Sequence, residues 1–65
     1  MMINRVREIR KMLALRQEDL AQRLGVSRQT IIAIENNRYS PSLELALRIA
    51  RLYQKPVEEI FYLED

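Results

Sequence analysis

Residues Gln17 to Ile34, QEDLAQRLGVSRQTIIAI, constrain the chain most, because small, flexible and branched residues fall where two short helices can cross at close range. Counted from Gln17, Ala21 is fifth, Gly25 ninth, Ile31 fifteenth and Ile34 eighteenth. Each offset has its own cause. Ala21 has the smallest side chain that still favours helix, so a second helix lies across it, whereas Leu would hold the pair apart. Gly25 supplies the positive φ that ends the first helix, which a residue bearing Cβ enters only at a cost of roughly 1 kcal/mol or more. Val26 then turns inward, and Ser27 caps the second helix.

This is the spacing of a helix-turn-helix over about residues 17–36, whose second helix enters the major groove of double-stranded DNA. The remaining composition narrows the alternatives. Sixty-five residues make one domain, residues 1–65, and a chain of that length buries only about 60% of the surface its unfolded form exposes. With no Cys and no His there is no disulfide, no thiolate or imidazole metal site and not the commonest general base. No acid pair shares a cleft with a nucleophile or metal, so neither an enzyme, a metal nor a cofactor is expected. The longest apolar runs, such as Met12 to Leu15, reach four residues, far short of the ~20 that span a bilayer. Arg5, Arg7, Arg10 and Lys11 break up any signal-peptide pattern, so a cytoplasmic protein with no membrane partner is expected.

Charge is divided unevenly. Residues 1–40 hold eight Lys or Arg against four acids, and residues 41–65 hold three against five. A basic half beside an acidic one fits a phosphate-facing surface, although helices also carry such charges simply to be solvated.

Helical periodicity runs through nearly the whole chain, with neither strand alternation nor an internal repeat, and predicts an all-α, compact five-helix bundle. Helix one, about Asn4 to Leu13, places Ile3, Val6, Ile9 and Leu13 on one face. Helix two runs from about Gln17 to Leu24, and helix three from after Ser27 to about Asn36. Helix four, about Ser42 to Tyr53, has an apolar arc wider than one neighbour needs, leaving part of it for helix five or a second subunit. Helix five, about Val57 to Tyr62, is anchored by Val57, Ile60 and Phe61, with Pro56 at its start.

On helix three, Ile31 and Ile34 set the inward direction, and 100° steps place Gln29, Ile32, Ala33 and Asn36 opposite. Arg28 and Thr30 flank that face at the N-terminal end, which meets base edges in this mode of docking. Arg and Gln make paired hydrogen bonds to guanine and adenine, and an exposed methyl touches thymine. Arg28, Gln29, Thr30, Ile32 and Ala33 are therefore the candidate base readers; the bland alternative for Ile32 is a stray surface residue. Candidates for the DNA backbone are Arg16 and Gln17 at the start of helix two, and Asn36, Arg38, Tyr39 and Ser40 in the loop after helix three. That loop also has a turn role, since Asn37 tolerates the left-handed conformation. Glu35 projects about 70° from the inward axis of helix three, close enough to the core edge to need a partner. Met12, Leu13, Tyr62 and Leu63 are candidates for exposed apolar surface; Tyr62 and Leu63 are assigned to a homodimer interface. No small-molecule effector pocket is visible in so small a domain.

The stretch RQEDLAQRLGVSRQTIIAIENNRYSPSLELALRIARLY resembles the Cro and phage-repressor, or Xre, type of helix-turn-helix, and the likeness covers almost the whole chain. QEDLA, GVSRQTI, the RYSPSLE loop and the closing VEEIF carry it. The resemblance implies a lambda-repressor-like five-helix bundle, a homodimer and a near-palindromic operator, hence a transcriptional regulator acting as a repressor. It implies that Gln17 contacts phosphate and braces Arg28, and that Arg10 pairs with Glu35. Four residues depart from the pattern. Arg16 replaces the Thr or Ser that would cap helix two, Ala14 and Gln54 stand where Gly often comes after a helix, and Ala33 replaces a polar base reader. A protein-interaction module, such as an antitoxin or coactivator-like subunit, is the competing reading; no long extra segment is present to wrap such a partner.

Overall fold

A computed structural model describes residues 2–64. It contains four α-helices, α1 (Val6–Met12), α2 (Gln17–Leu24), α3 (Arg28–Glu35) and α4 (Leu43–Tyr53), framed by strands β1 (Met2–Asn4) and β2 (Phe61–Leu63). The expected five-helix, all-α architecture is therefore corrected at both ends. In place of helix five a single 3₁₀ turn spans Val57–Glu59, and the chain then extends as β2 antiparallel to β1, pairing Met2 with Leu63, Ile3 with Tyr62 and Asn4 with Phe61. The physical reason is local. Phe61 and Tyr62 are aromatic residues that favour extended backbone once a partner edge is available, and Ile60 before them still has helical dihedrals as the end of the 3₁₀ turn. The N-terminal segment supplies that edge, and the Arg5 N–H also donates to the Ile60 carbonyl at 2.8 Å.

The same pairing shortens helix one. Asn4 lies in β1, and its Oδ1 accepts the Val6 N–H at 3.1 Å, so α1 begins at Val6 rather than Asn4. Ile3 is then a half-buried strand residue, not part of a helical stripe. Leu13, expected inward, is 48% exposed because α1 ends at Met12 and Leu13 lies in the turn beyond it.

Val6, Ile9, Leu20, Leu24, Ile31, Ile34, Ile49 and Ile60 form the core, so every helix and the 3₁₀ corner contribute to it. Ala21 is buried on α2, which packs against α3, and Gly25 takes φ +71° to end α2. Ser27 Oγ accepts the Thr30 N–H at 3.2 Å, and Ser42 Oγ accepts the Leu45 N–H at 3.1 Å, so each caps its helix from the residue before it. Tyr53 closes the end of α4 by donating its hydroxyl to the Val6 carbonyl at 3.0 Å. The wide apolar arc of α4 divides as its width required: Leu45, Ile49 and Tyr53 are buried, whereas Leu43 and Leu47 face outward.

Ala14 and Gln54 both adopt φ +58°, the left-handed conformation in which a Cβ is strained. Ala14→Gly and Gln54→Gly are each expected to raise stability by about 0.5–1 kcal/mol, after the extra unfolded-state entropy of Gly is offset. Thermal melts check this, with a rise of roughly 4–8 °C per kcal/mol for a domain of this size. A lower midpoint in both variants would show that the turns carry no strain.

Candidate nucleic-acid interface

α3 turns Ile31, Ile34 and Glu35 into the protein and leaves Arg28, Gln29 and Asn36 exposed. Thr30, Ile32 and Ala33 are half-buried, so the outward face is narrowest at the three less polar candidates and most open at its N-terminal end. The Thr30 hydroxyl lies 3.0 Å from Ser27 Oγ and is already part of the cap. Arg28 makes no ion pair or hydrogen bond through its guanidinium among the described residues, so its donors are free for a ligand.

Glu35 holds this helix to the rest of the domain. Its side chain is fully buried, and Arg10 Nε donates to Oε2 at 2.7 Å while Arg10 Nη2 donates to Oε1 at 3.3 Å. Arg7 Nε, at 3.3 Å, and Gln17 Nε2, at 3.1 Å, donate to the same Oε1. Burial pushes the Glu35 carboxyl up, but the hydrogen bonds from Arg10 and Gln17, the Arg10 charge and Arg7 together hold it below the usual carboxylate range. Arg10 also donates through Nη1 to the Leu15 carbonyl at 2.9 Å. One carboxylate thus ties α3 to α1, to the turn after it and to the first residue of α2.

Gln17 therefore differs from its expected role in one respect: its amide braces Glu35, at the far end of α3, rather than Arg28. Arg10, Arg16, Gln17, Glu18 and Arg28 nevertheless line one shared groove, so the start of α2 and the start of α3 present a continuous surface. The backbone N–H groups of the first turn of α2 suit phosphate there.

Arg16 precedes α2 and cannot cap it, because a guanidinium only donates. Asp19 fills that place from the other side, its carboxylate accepting the Arg16 N–H at 2.8 Å. It also accepts from Arg16 Nε and Nη2, each at 3.1 Å, and Glu18 lies 3.4 Å from Nη1. The hydrogen bonds from Arg16 hold the Asp19 carboxyl below its ordinary range. Arg16 is exposed, but its charge is offset by two neighbouring acids.

The loop after α3 exposes Arg38, Tyr39 and Ser40. Asn37, at φ +59°, reverses the chain, and the Arg38 N–H returns to the Ala33 carbonyl at 2.8 Å. Two residues outside the candidate set hold this loop. Asn4 Nδ2 donates to the Ile34 carbonyl at 2.9 Å and to Asn37 Oδ1 at 2.8 Å, and Arg7 Nη2 donates to Asn36 Oδ1 at 2.6 Å. Arg7 was discoverable, since it lies one turn before Arg10 on the same helix. The role of Asn4 in this loop carries no local signal, because these two partners are about thirty residues away. Tyr62 and Leu63, at 41% and 77% exposure, lie on β2, so Tyr62 is not the expected last residue of a helix.

A helix-turn-helix family model matches residues 6–60. An uncharacterized HTH-type transcriptional regulator of Methanocaldococcus jannaschii is 53% identical over 98% of this chain and 97% of its own length. Another, of Methanothermobacter thermautotrophicus, is 61% identical over 92% of this chain and 88% of its own length. The cryptic phage CTXphi transcriptional repressor RstR of Vibrio cholerae is 33% identical over 92% of this chain and 54% of its own length. With α2 packed against α3, Ala21 buried, the Gly25 turn and a match over most of its length, the chain belongs to the Cro/C1-type helix-turn-helix family of transcriptional regulators.

Proposed function

We propose that the protein is a cytoplasmic repressor that binds a near-palindromic operator as a homodimer, with α3 in the major groove. The observation that carries this reading is the open N-terminal face of α3. Arg28 and Gln29 are exposed on a helix whose other end is fixed by the buried Glu35 cluster. Their donors are thus presented on a rigid support, the condition for base readout with little ordering cost. Thr30, Ile32 and Ala33 supply smaller contacts alongside them. Gln17, Asn36, Arg38, Tyr39 and Ser40 flank the groove as phosphate contacts that set register, with Arg16 a weaker member because its charge is already offset.

Selection of bound sequences from a random duplex pool tests the reading. An enriched near-palindrome with half-site centres about 34 Å apart, one helical turn, is expected. A pool that shows no enrichment at fixed moderate salt overturns sequence-specific binding.

The dimer seam is assigned to β2. Tyr62, at 41% exposure, and Leu63, at 77%, leave apolar side chains uncovered on the two faces of a two-stranded sheet, whose open edge a second copy would cover in an isologous contact. Tyr62→Ala with Leu63→Ala is expected to convert a dimer to a monomer in light scattering. An unchanged mass rules out this seam.

A further inference from the structure

At the end of α2 remote from Gln17 lies a second basic concavity. Arg23 and Leu24 from the last turn of α2, with Arg48, Arg51, Leu52 and Gln54 from the C-terminal part of α4 and its cap, line a depression of about 550 Å³. Among the described residues none of these three arginines makes an ion pair, whereas Arg5, Arg7, Arg10 and Arg16 all do.

Part of this charge has a structural use. Arg23 and Arg51 stand in the last turns of their helices, where a cation offsets the negative end of the helix dipole. Two helix ends supply only about half a charge each, so three guanidiniums exceed them. Glu44, one turn before Arg48, borders an adjoining groove with Leu47, Arg48 and Arg51 but pairs with neither arginine. Counting it still leaves a positive excess of about one charge.

The lining joins two chemistries. Guanidiniums bind phosphate through paired N–H groups, and the half-buried Leu52, backed by the buried Leu24, gives a small apolar edge on which a flat ring can rest. The depression is open to solvent on one side, and a bare phosphate would cover only a small part of it, which leaves room for a larger molecule. We propose that this depression binds a small phosphorylated molecule of nucleotide size, its phosphates on Arg23, Arg48 and Arg51 and its planar part against Leu52. Such a ligand would touch the turn between α2 and α3. A Cβ built on Gly25 would lie 3.8 Å from Arg48 Nη2, so that guanidinium rests against the turn.

Titration of the full chain with ATP, monitored in amide nitrogen–proton NMR spectra, tests the site. Saturable shifts are expected at Arg23, Gly25, Arg48, Arg51 and Gln54. Arg48→Gln with Arg51→Gln should weaken ATP binding about tenfold or more, since each lost charge-assisted contact is worth at least that order. Both positions are exposed, so the fold and its spectrum should persist in the variant. Arg28→Gln should leave the affinity unchanged. Inorganic triphosphate should bind more weakly than ATP, because it lacks the planar part. Shifts confined to Gln17, Arg28 and residues 36–40, no saturation at millimolar ATP, equal affinity in the double variant, or equal affinity for triphosphate would each overturn the proposal.

Discussion

Glu35→Ala is expected to destabilise the protein by about 3–5 kcal/mol, because it leaves Arg10 buried without its counter-charge. Arg10 would retain only the Leu15 carbonyl, and Arg7 and Gln17 would each lose an acceptor. A domain of this length has a total stability of only about 3–10 kcal/mol, so the variant should be partly unfolded at 25 °C. Urea denaturation monitored by circular dichroism checks this, and a loss below about 1 kcal/mol, the scale of an exposed ion pair, would contradict it. Glu35→Gln should cost less, since its amide oxygen still accepts from Arg10.

The same carboxylate gives the stability a pH dependence of definite sign. The folded Glu35 carboxyl lies below the usual carboxylate range. Its contribution is therefore present above the unfolded value of about 4.3 and is lost as pH falls through the folded value. Glu8 and Asp19 are also held low, by Arg5 and Arg16 respectively, and will share the acid limb. Glu35→Gln should flatten that limb without abolishing it.

On the DNA side, Arg28→Ala and Gln29→Ala are each expected to cost about 1–3 kcal/mol on the selected operator and to relax preference at one base position. Arg38→Ala should instead weaken all duplexes alike and lower the salt slope by about one. Arg16→Ala should reduce that slope less than Arg38→Ala, because Asp19 and Glu18 already offset the Arg16 charge. Binding isotherms at several salt concentrations on operator and scrambled duplexes separate these effects. If Gln29→Ala and Arg38→Ala change base preference equally, the division between reading and positioning fails.

The features legible in the sequence act over short spans. Ser27 and Ser42 cap from three residues away, Gly25 needs only its own φ, and Ala21 is recognised by what a helix crossing permits. The projection of α3 likewise placed Gln29 and Asn36 outward with Arg28 at the edge of that face, because a single helix obeys its own period, whereas Ile32 and Ala33, projected onto the same face, are half-buried. The strands were illegible for the opposite reason. Each has three residues, too few for alternation to show, and they pair across nearly the entire chain. The Glu35 cluster was half legible. Its need for a partner can be read from projection angle, but the turn of Gln17 toward it and the addition of Arg7 depend on where three helices meet.

The β1–β2 ladder closes the longest loop in the molecule, so its cost in chain entropy is met only after the helices have packed. Its amides should therefore exchange with solvent by local opening, ahead of those in α3 and α4. The proposed dimer seam would then be the last surface to form and the first to come apart. Asn4 lies in that ladder and also holds the loop after α3. Opening of the two ends would release Asn4 from the end of α3 and the loop after it, while the Glu35 cluster still held the helix, so the proposed pairing of subunits and the alignment of that loop would rise and fall as one event.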